Sequence, residues 1–415
     1  MKKLLLVLGL GLNVLMYAQN YVHQVLVLNE GYYDYNTATQ VVPVSVGSYN
    51  PQSQVYQEVI IIPTMRFASD LIIDGNYYYV AADAKILKYD LNTHAFVSEV
   101  SCPGVRNLAV SQGKLIATRG EYLTTFDSYL HIYDANTLQL IQAIDTVVGP
   151  KWATQNIAVL GNQAYIAVNN GYEWGNEKGL VGSLDLTTLS YGNEIDLGVD
   201  GKNPDNLVVY NGNLYTVNNK DWSGSSVSEI SLASGVANTV NLANAGTGCG
   251  TSALRDDKLV YQISMETTLN AFDMSVMNVA GPVAGHQINY YELAQEPVSG
   301  NFYCTETDFF SFGTVHVFDG VNTELSQFSV GVSPGTVVFD VRPNVGITEL
   351  MEHLTLYPNP ANTSVSVNVE GEKLVFSLDG TLLIQTSENT LNISALSQGM
   401  YVISVNGQQA TLIKN

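Results

Sequence analysis

The chain has 415 residues, enough for two or three domains. Its 17 Lys plus Arg against 38 Asp plus Glu leave a formal charge of −21, which argues against nucleic acid and anionic membranes as partners. Apolar residues at 46% exclude a disordered chain, and 25 Tyr with 35 Gly favour short strands joined by turns.

The first segment reads as a targeting signal. Lys2 and Lys3 precede an apolar run from Leu4 to Met16, and Ala18 offers a small residue for cleavage. This pattern predicts a secretory signal peptide over residues 1–18. The apolar run of 13 residues is short for a membrane span, and no later run is long enough for one, so no membrane insertion is expected. Cys102, Cys249 and Cys304 are odd in number, so at most one internal disulfide can form, and buried thiols are the expected state.

Residues 19–343 are organised by a repeat. The unit is an apolar strand, a turn with Gly or Asn/Asp, a second strand, a variable loop, and a third strand closing near Asp. One copy runs Asp70-Leu71-Ile72-Ile73-Asp74-Gly75, then Tyr77 to Val80, then Ile86 to Asp90. Turn anchors at Gly75, Gly113, Gly161, Gly212, Asp257 and Gly300 are separated by 38, 48, 51, 45 and 43 residues. Periods of roughly 45 with strand-type units predict a β-propeller with four strands per blade. Seven inner strands are expected near Ala68, Asn107, Gln155, Asp205, Thr251, Glu292 and Val337. The strand near Val337 has no blade after it. The first strands, Val25–Leu28, Val41–Val44 and Val55–Ile61, have no inner strand before them. Joining the two ends closes the ring and removes exposed sheet edges.

This repeat, with the opening segment Val27-Leu28-Asn29-Glu30-Gly31, resembles the YncE-like surface propellers of Gram-negative bacteria. Some relatives bind cobalamin outside the cell, so the resemblance allows a ligand of that kind. It carries no binding residue over to this chain.

Residues 344–353 read as a linker. Residues 354–415 then alternate apolar and polar positions around the turns Asp379-Gly380 and Asn406-Gly407, which predicts a small antiparallel, immunoglobulin-like sandwich. The pieces Tyr357-Pro358-Asn359-Pro360, Leu378-Asp379-Gly380 and Gly399-Met400-Tyr401 closely resemble the C-terminal sorting domain of type IX secretion cargo. The resemblance implies contact with the type IX machinery and export across the outer membrane. The whole chain is thus expected to be all-β: a seven-bladed propeller closed by N-terminal strands, then a sandwich.

Catalytic motifs are absent from the sequence. None of the six His falls in a ligand spacing, and there is no nucleophile elbow or phosphate loop. Gly246-Thr247-Gly248-Cys249-Gly250 reads as a turn between strands. No cofactor or metal ligand is read, and the protein is expected to be a monomer. The leading function is therefore a secreted or surface binding protein that holds a small-molecule or surface ligand. The alternative is a lactonase-type hydrolase or lyase, with Asp70, Asp205, Glu292 and Asp340 converging on a metal in the channel.

The binding face is expected where loops after second strands meet the crossovers between blades. Large aromatic residues concentrate there, although loops favour small polar ones. The candidate ligand-binding residues are Trp174, Trp222, Trp152, Tyr172, Glu173, Asp221, Arg66, Tyr122 and Tyr32.

Overall fold

The computed structural model describes residues 20–220, 224–242, 246–344, 354–405 and 408–415. Every regular element among them is a β-strand. One compact unit comprises Asn20–Arg342, and a second holds Pro343–Asn415.

The first unit is a ring of seven four-stranded sheets. Blade 1 comprises Ala68–Asp74, Tyr77–Ala82, Lys85–Asp90 and Phe96–Ser101. The inner strands of blades 2 to 6 are Val105–Ser111, Thr154–Leu160, Pro204–Tyr210, Thr247–Arg255 and Leu293–Gln295. Blade 7 takes its inner strand, Pro334–Pro343, from the end of the unit. Its other three strands, Asn20–Asn29, Val44–Asn50 and Val55–Ile62, come from the start. The seven inner strands lie where the repeat places them, and the ring closes by joining its ends.

Alternation explains how the blades stack. Successive side chains of a strand point to opposite faces. In blade 1, Tyr78, Val80 and Ala82 pack with Leu26, Leu28 and Val46 of blade 7. The intervening Tyr79 and Ala81 pack with Leu108, Leu115 and Tyr133 of blade 2. Both faces of the strand are thus buried, which is why Tyr77-Tyr78-Tyr79-Val80-Ala81-Ala82 carries no polar alternation. Each such aliphatic side chain contributes about 1.5–3 kcal/mol by leaving water.

The Asp at the end of five of the seven third strands also has a physical reason. Asp90, Asp134 and Asp185 each accept the backbone N–H groups two and three residues on, at 2.8–3.0 Å. Asp273 and Asp319 cap their turns similarly. These side chains fix the reversal into the fourth strand.

Two expectations need correction. Val41–Val44 is not the third strand of blade 7. Thr39–Val42 pairs instead with Tyr32–Asp34 in a separate hairpin, and the blade strand begins at Val44. Pro43 lies between them; it has no N–H to donate to a ladder, so the pairing changes there. The segment Thr247–Gly250 is not a turn but the start of the blade 5 inner strand, with a register break between Thr247 and Ser252.

The second unit contains two sheets. One holds Leu356–Tyr357, Ser364–Val367 and Thr390–Asn392. The other holds Leu382–Thr386, Lys373–Ser377, Gly399–Val405 and Gln408–Lys414. Val365, Val367, Val375, Leu391, Ile403 and Leu412 form their shared core. The Asn406-Gly407 turn lies outside the described residues, as do the expected signal peptide and nearly all of the linker. Cys102 and Cys304 are buried free thiols. No helix among the described residues is long and apolar enough to cross a membrane.

Candidate functional site

A bulge repeated from blade to blade builds the centre of the ring. The register with the second strand breaks after Ala68, Val105, Thr154, Pro204 and Thr247. A bulge leaves residues out of the ladder and re-aims their side chains. Here Ser69-Asp70, Arg106-Asn107, Gln155-Asn156 and Asp205-Asn206 line a central cavity of about 330 Å³, joined by Glu30, Tyr291-Glu292 and Gly335-Thr336.

Some of these polar groups tie blades together. Asp70 accepts its neighbour's N–H at 2.8 Å and the Leu108 N–H of blade 2 at 2.7 Å. Asn156 accepts the Leu207 N–H of blade 4 at 3.1 Å, and Asn206 donates to the Ser252 carbonyl of blade 5 at 2.6 Å. Asp340 does not reach the cavity lining. It is paired with Arg342 at 2.6 Å and receives a hydrogen bond from Gln24 at 3.1 Å. Asp70, Asp205 and Glu292 thus line one cavity, with Glu30 as an unexpected fourth carboxyl.

Burial dominates the electrostatics of this group. It raises Glu30 to about 7, against the hydrogen bond from Tyr291 at 2.8 Å and the nearby Arg106 charge. It raises Asp70 to about 6, against its backbone donors. Glu292 is pushed well above the usual range by burial, and by repulsion from Asp70, Asp205 and Glu30. A glycine makes room for Glu30, because a Cβ on Gly335 would collide with the Glu30 carboxyl.

Arg106 stands at the mouth. Its guanidinium lies 4.3 Å from the Tyr172 ring centre and 5.2 Å from that of Phe67, and its Nε donates to the Gly120 carbonyl at 2.6 Å. Gly120 also lets Tyr172 close in, since a Cβ there would sit 2.6 Å from the ring.

Two further cavities adjoin the mouth. One, of about 700 Å³, is lined by Tyr122, Trp152, Tyr172, Glu173 and Trp174, with Glu121 and Lys151. The other, of about 840 Å³, is lined by Tyr32, Arg66, Phe67, Arg106, Tyr122 and Tyr172, with Phe309 and Phe310. Tyr172 lines all three.

Seven of the nine residues singled out from the sequence thus lie together on one face; Asp221 and Trp222 fall outside the described residues. They differ in state. Trp174 is 74% exposed at the tip of a loop held by its own hydrogen bonds, Asn170 to Glu173 at 2.9 Å and Lys178 to Asn169 at 2.7 Å. Trp152 is half-buried against the core, with Lys178 4.4 Å from its ring centre. Arg66 lines a cavity, but its charge is already paired with Asp83 at 2.5 Å and Glu121 at 3.0 Å. Tyr290, in a crossover expected on this face, is buried and bonded to His286 at 3.1 Å.

Arg106 and Glu30 were missed by sequence reasoning. A polar residue stands immediately before each apolar run, as in Asp70-Leu71, Asn107-Leu108, Asn156-Ile157, Asn206-Leu207 and Glu292-Leu293, but neither Arg106 nor Glu30 occupies that position. Aligning those positions across the repeat points to the channel lining.

Fold and site together define a seven-bladed propeller with a polar centre and one aromatic face, followed by a small β-sandwich. Residues 355–415 match the family of secretion system C-terminal sorting domains, so the chain is a propeller carrying a secretion sorting tail. No curated protein matches the chain. Among solved structures, it is similar to the hypothetical selenium-binding protein from Sulfolobus tokodaii, at 10% identity and TM-score 0.57, over 77% of this chain and 94% of that one. It is similar to the extracellular domain of BT4673 from B. thetaiotaomicron, at 14% identity and TM-score 0.52, over 94% of this chain. The match spans only 57% of that longer chain. Dihydro-heme d1 dehydrogenase NirN is also similar, at 15% identity and TM-score 0.51, over 90% of this chain and 76% of that one. At such identities the likeness concerns the fold alone.

Proposed function

We propose that this is an exported binding protein whose propeller captures a ligand or partner on the aromatic face around the channel mouth. One observation carries the reading: Trp174 stands 74% exposed on a tightly bonded loop, beside a polar cavity that shares Tyr172 with it. Exposed rings fixed in place offer contact area at little entropic cost. The reading includes a signal peptide over residues 1–18, a mature propeller over 19–343, a linker over 344–353 and a sorting domain over 354–415. The protein acts as a monomer in this reading, and a cobalamin-like nutrient is one candidate ligand.

The test is a thermal-shift and calorimetric screen that includes cobalamin. Trp174→Ala should weaken binding of a hit that reaches this ring by about 1.4 kcal/mol, tenfold in affinity. Its melting temperature should stay close to the parent's, because an exposed loop ring holds little of the core. A large loss of stability with unchanged binding would refute this placement. Export has its own test. Deleting residues 354–415 should leave a folded propeller in the periplasm, and normal surface levels of the deletion would refute the sorting role.

A hydrolase reading retains one favourable feature, the Glu292 carboxyl that burial pushes well above its ordinary range in the cavity. Against it, Asp70 is committed to two backbone donors and Asp340 stands elsewhere. No group of three or more His, Cys, Asp or Glu among the described residues is arranged to hold a metal.

A further inference from the structure

We propose that the ligand is a neutral oligosaccharide bound end-on, with its terminal sugar in the central cavity and the following units across Tyr172 and Trp174. This rests on the binding-face reading above and names the ligand class.

The first argument is the chemistry of the lining. No Val, Leu, Ile or Met lines the central cavity. Both donors and acceptors line it instead. The Asn156 carbonyl is taken by Leu207, which leaves its amide N–H groups without a hydrogen-bond partner among the described residues. Asn206 is the converse: its N–H group is taken by Ser252, which leaves its carbonyl. The Glu292 carboxyl likewise has no hydrogen bond among the described residues, although three other carboxyls act on it. A ligand that both donates and accepts at every position satisfies such a wall, and a polyol does so. An anion would face four carboxyl groups. A cation would have to pass Arg106 at the mouth.

The second argument is the junction between cavities. The central one, about 330 Å³, meets the neighbouring one, about 700 Å³, at Tyr172. Both volumes lie within the usual range for ligand sites. The second cavity offers flat rings rather than a polar wall: Trp174 at 74% exposure and Tyr122 at 58%. A sugar ring has hydroxyl groups around its edge and C–H groups on its faces. Edge-on it suits the central cavity, and face-on it suits an aromatic platform. A chain of such rings suits both in succession.

Two carboxyl groups that burial shifts toward the protonated form add to the fit. Glu30 and Glu292, raised by burial, can donate an O–H to a sugar oxygen as well as accept from a hydroxyl.

The experiment titrates the full chain calorimetrically with neutral gluco-, manno-, galacto- and xylo-oligosaccharides of increasing length. At least one series should bind, with affinity rising until the chain reaches Trp174. Trp174→Ala should remove that gain, roughly tenfold, and leave the shortest binding member unchanged. Gln155→Ala should weaken every member of the series alike. Short peptides, polyamines and cobalamin run in parallel. If one of these binds and Trp174→Ala weakens it, while no sugar binds, the sugar assignment falls and the binding face stands. Sugar binding indifferent to Trp174→Ala overturns the end-on arrangement. Binding by none of the probes overturns both proposals.

Discussion

Acidic side chains at the outer turns and at the ring centre behave in opposite ways. Asp90, Asp134 and Asp185 are partly exposed, and the backbone N–H groups they accept hold their carboxyls below the usual range. Asp273 is held at about 2 by its bonds to Ser275 and Lys258. In the centre, burial raises Glu30, Asp70 and Glu292 instead. The outer carboxylates define turns and favour the charged form. The central ones line a cavity, where burial shifts them toward the neutral form. The acidic residues behind a formal charge of −21 therefore include two contrasting populations, and the inner one lines the central cavity.

Asp70 is the exception that sharpens this comparison, because it lies in the cavity yet does a turn residue's task. Asp70→Ala should leave the N–H groups of Leu71 and Leu108 unsatisfied at the seam of blades 1 and 2. The expected loss is about 2–3 kcal/mol by urea unfolding. A loss as small as that of a surface substitution would place Asp70 with the ligand-facing carboxyls.

Asp185→Ala should have a smaller effect, lowering the melting temperature at pH 7 by roughly 2 °C. Its folded carboxyl is depressed by the Thr188 and Thr187 N–H groups. The stability it adds is therefore present above the unfolded value, near 3.8, and is lost as pH falls further. The parent and the variant should converge in acid. A difference that persists unchanged at pH 2 would contradict the charged-turn reading.

Much of the ring was legible from local pattern alone. Inner strands could be placed because each copy has its own apolar run and its own turn. The closing Asp residues were visible for the same reason, since Asp90 reaches only Asn92 and Thr93. The hairpin of Tyr32–Asp34 with Thr39–Val42 was missed because Val41 to Val44 reads as one apolar run, and only pairing reveals the break at Pro43. The channel was harder still. Glu30 and Tyr291 are 261 positions apart in sequence and meet through ring closure, which no local spacing encodes. Arg106 gains its setting only from Phe67 and Tyr172, which flank it from elsewhere in the ring. The aromatic loops were easier, because large rings in loop positions stand out without any partner.

The smallest expected effect, and the one that separates the two populations most directly, is at Glu292. Burial comes first, and repulsion from Asp70, Asp205 and Glu30 second, in raising its carboxyl. Its folded affinity for protons thus exceeds the unfolded one, whose ordinary value is 4.5. The folded state binds more protons above that value, so this group makes the protein less stable as pH rises. Glu292→Gln keeps the shape and cannot ionise. At pH 4 parent and variant should melt together, because the parent carboxyl is neutral there as well. At pH 8 the variant should melt higher, by about 1–2 °C. Water entering the cavity relaxes much of the repulsion, which keeps the shift small. The sign is what decides, since Asp185→Ala lowers stability at neutral pH and Glu292→Gln raises it. A Glu292→Gln variant less stable than the parent at pH 8 would show that this carboxylate, like those of the outer turns, is held by donors within the protein. Glu292 would then be already satisfied, and a ligand would meet only the amides of Asn156 and Asn206 in that part of the wall.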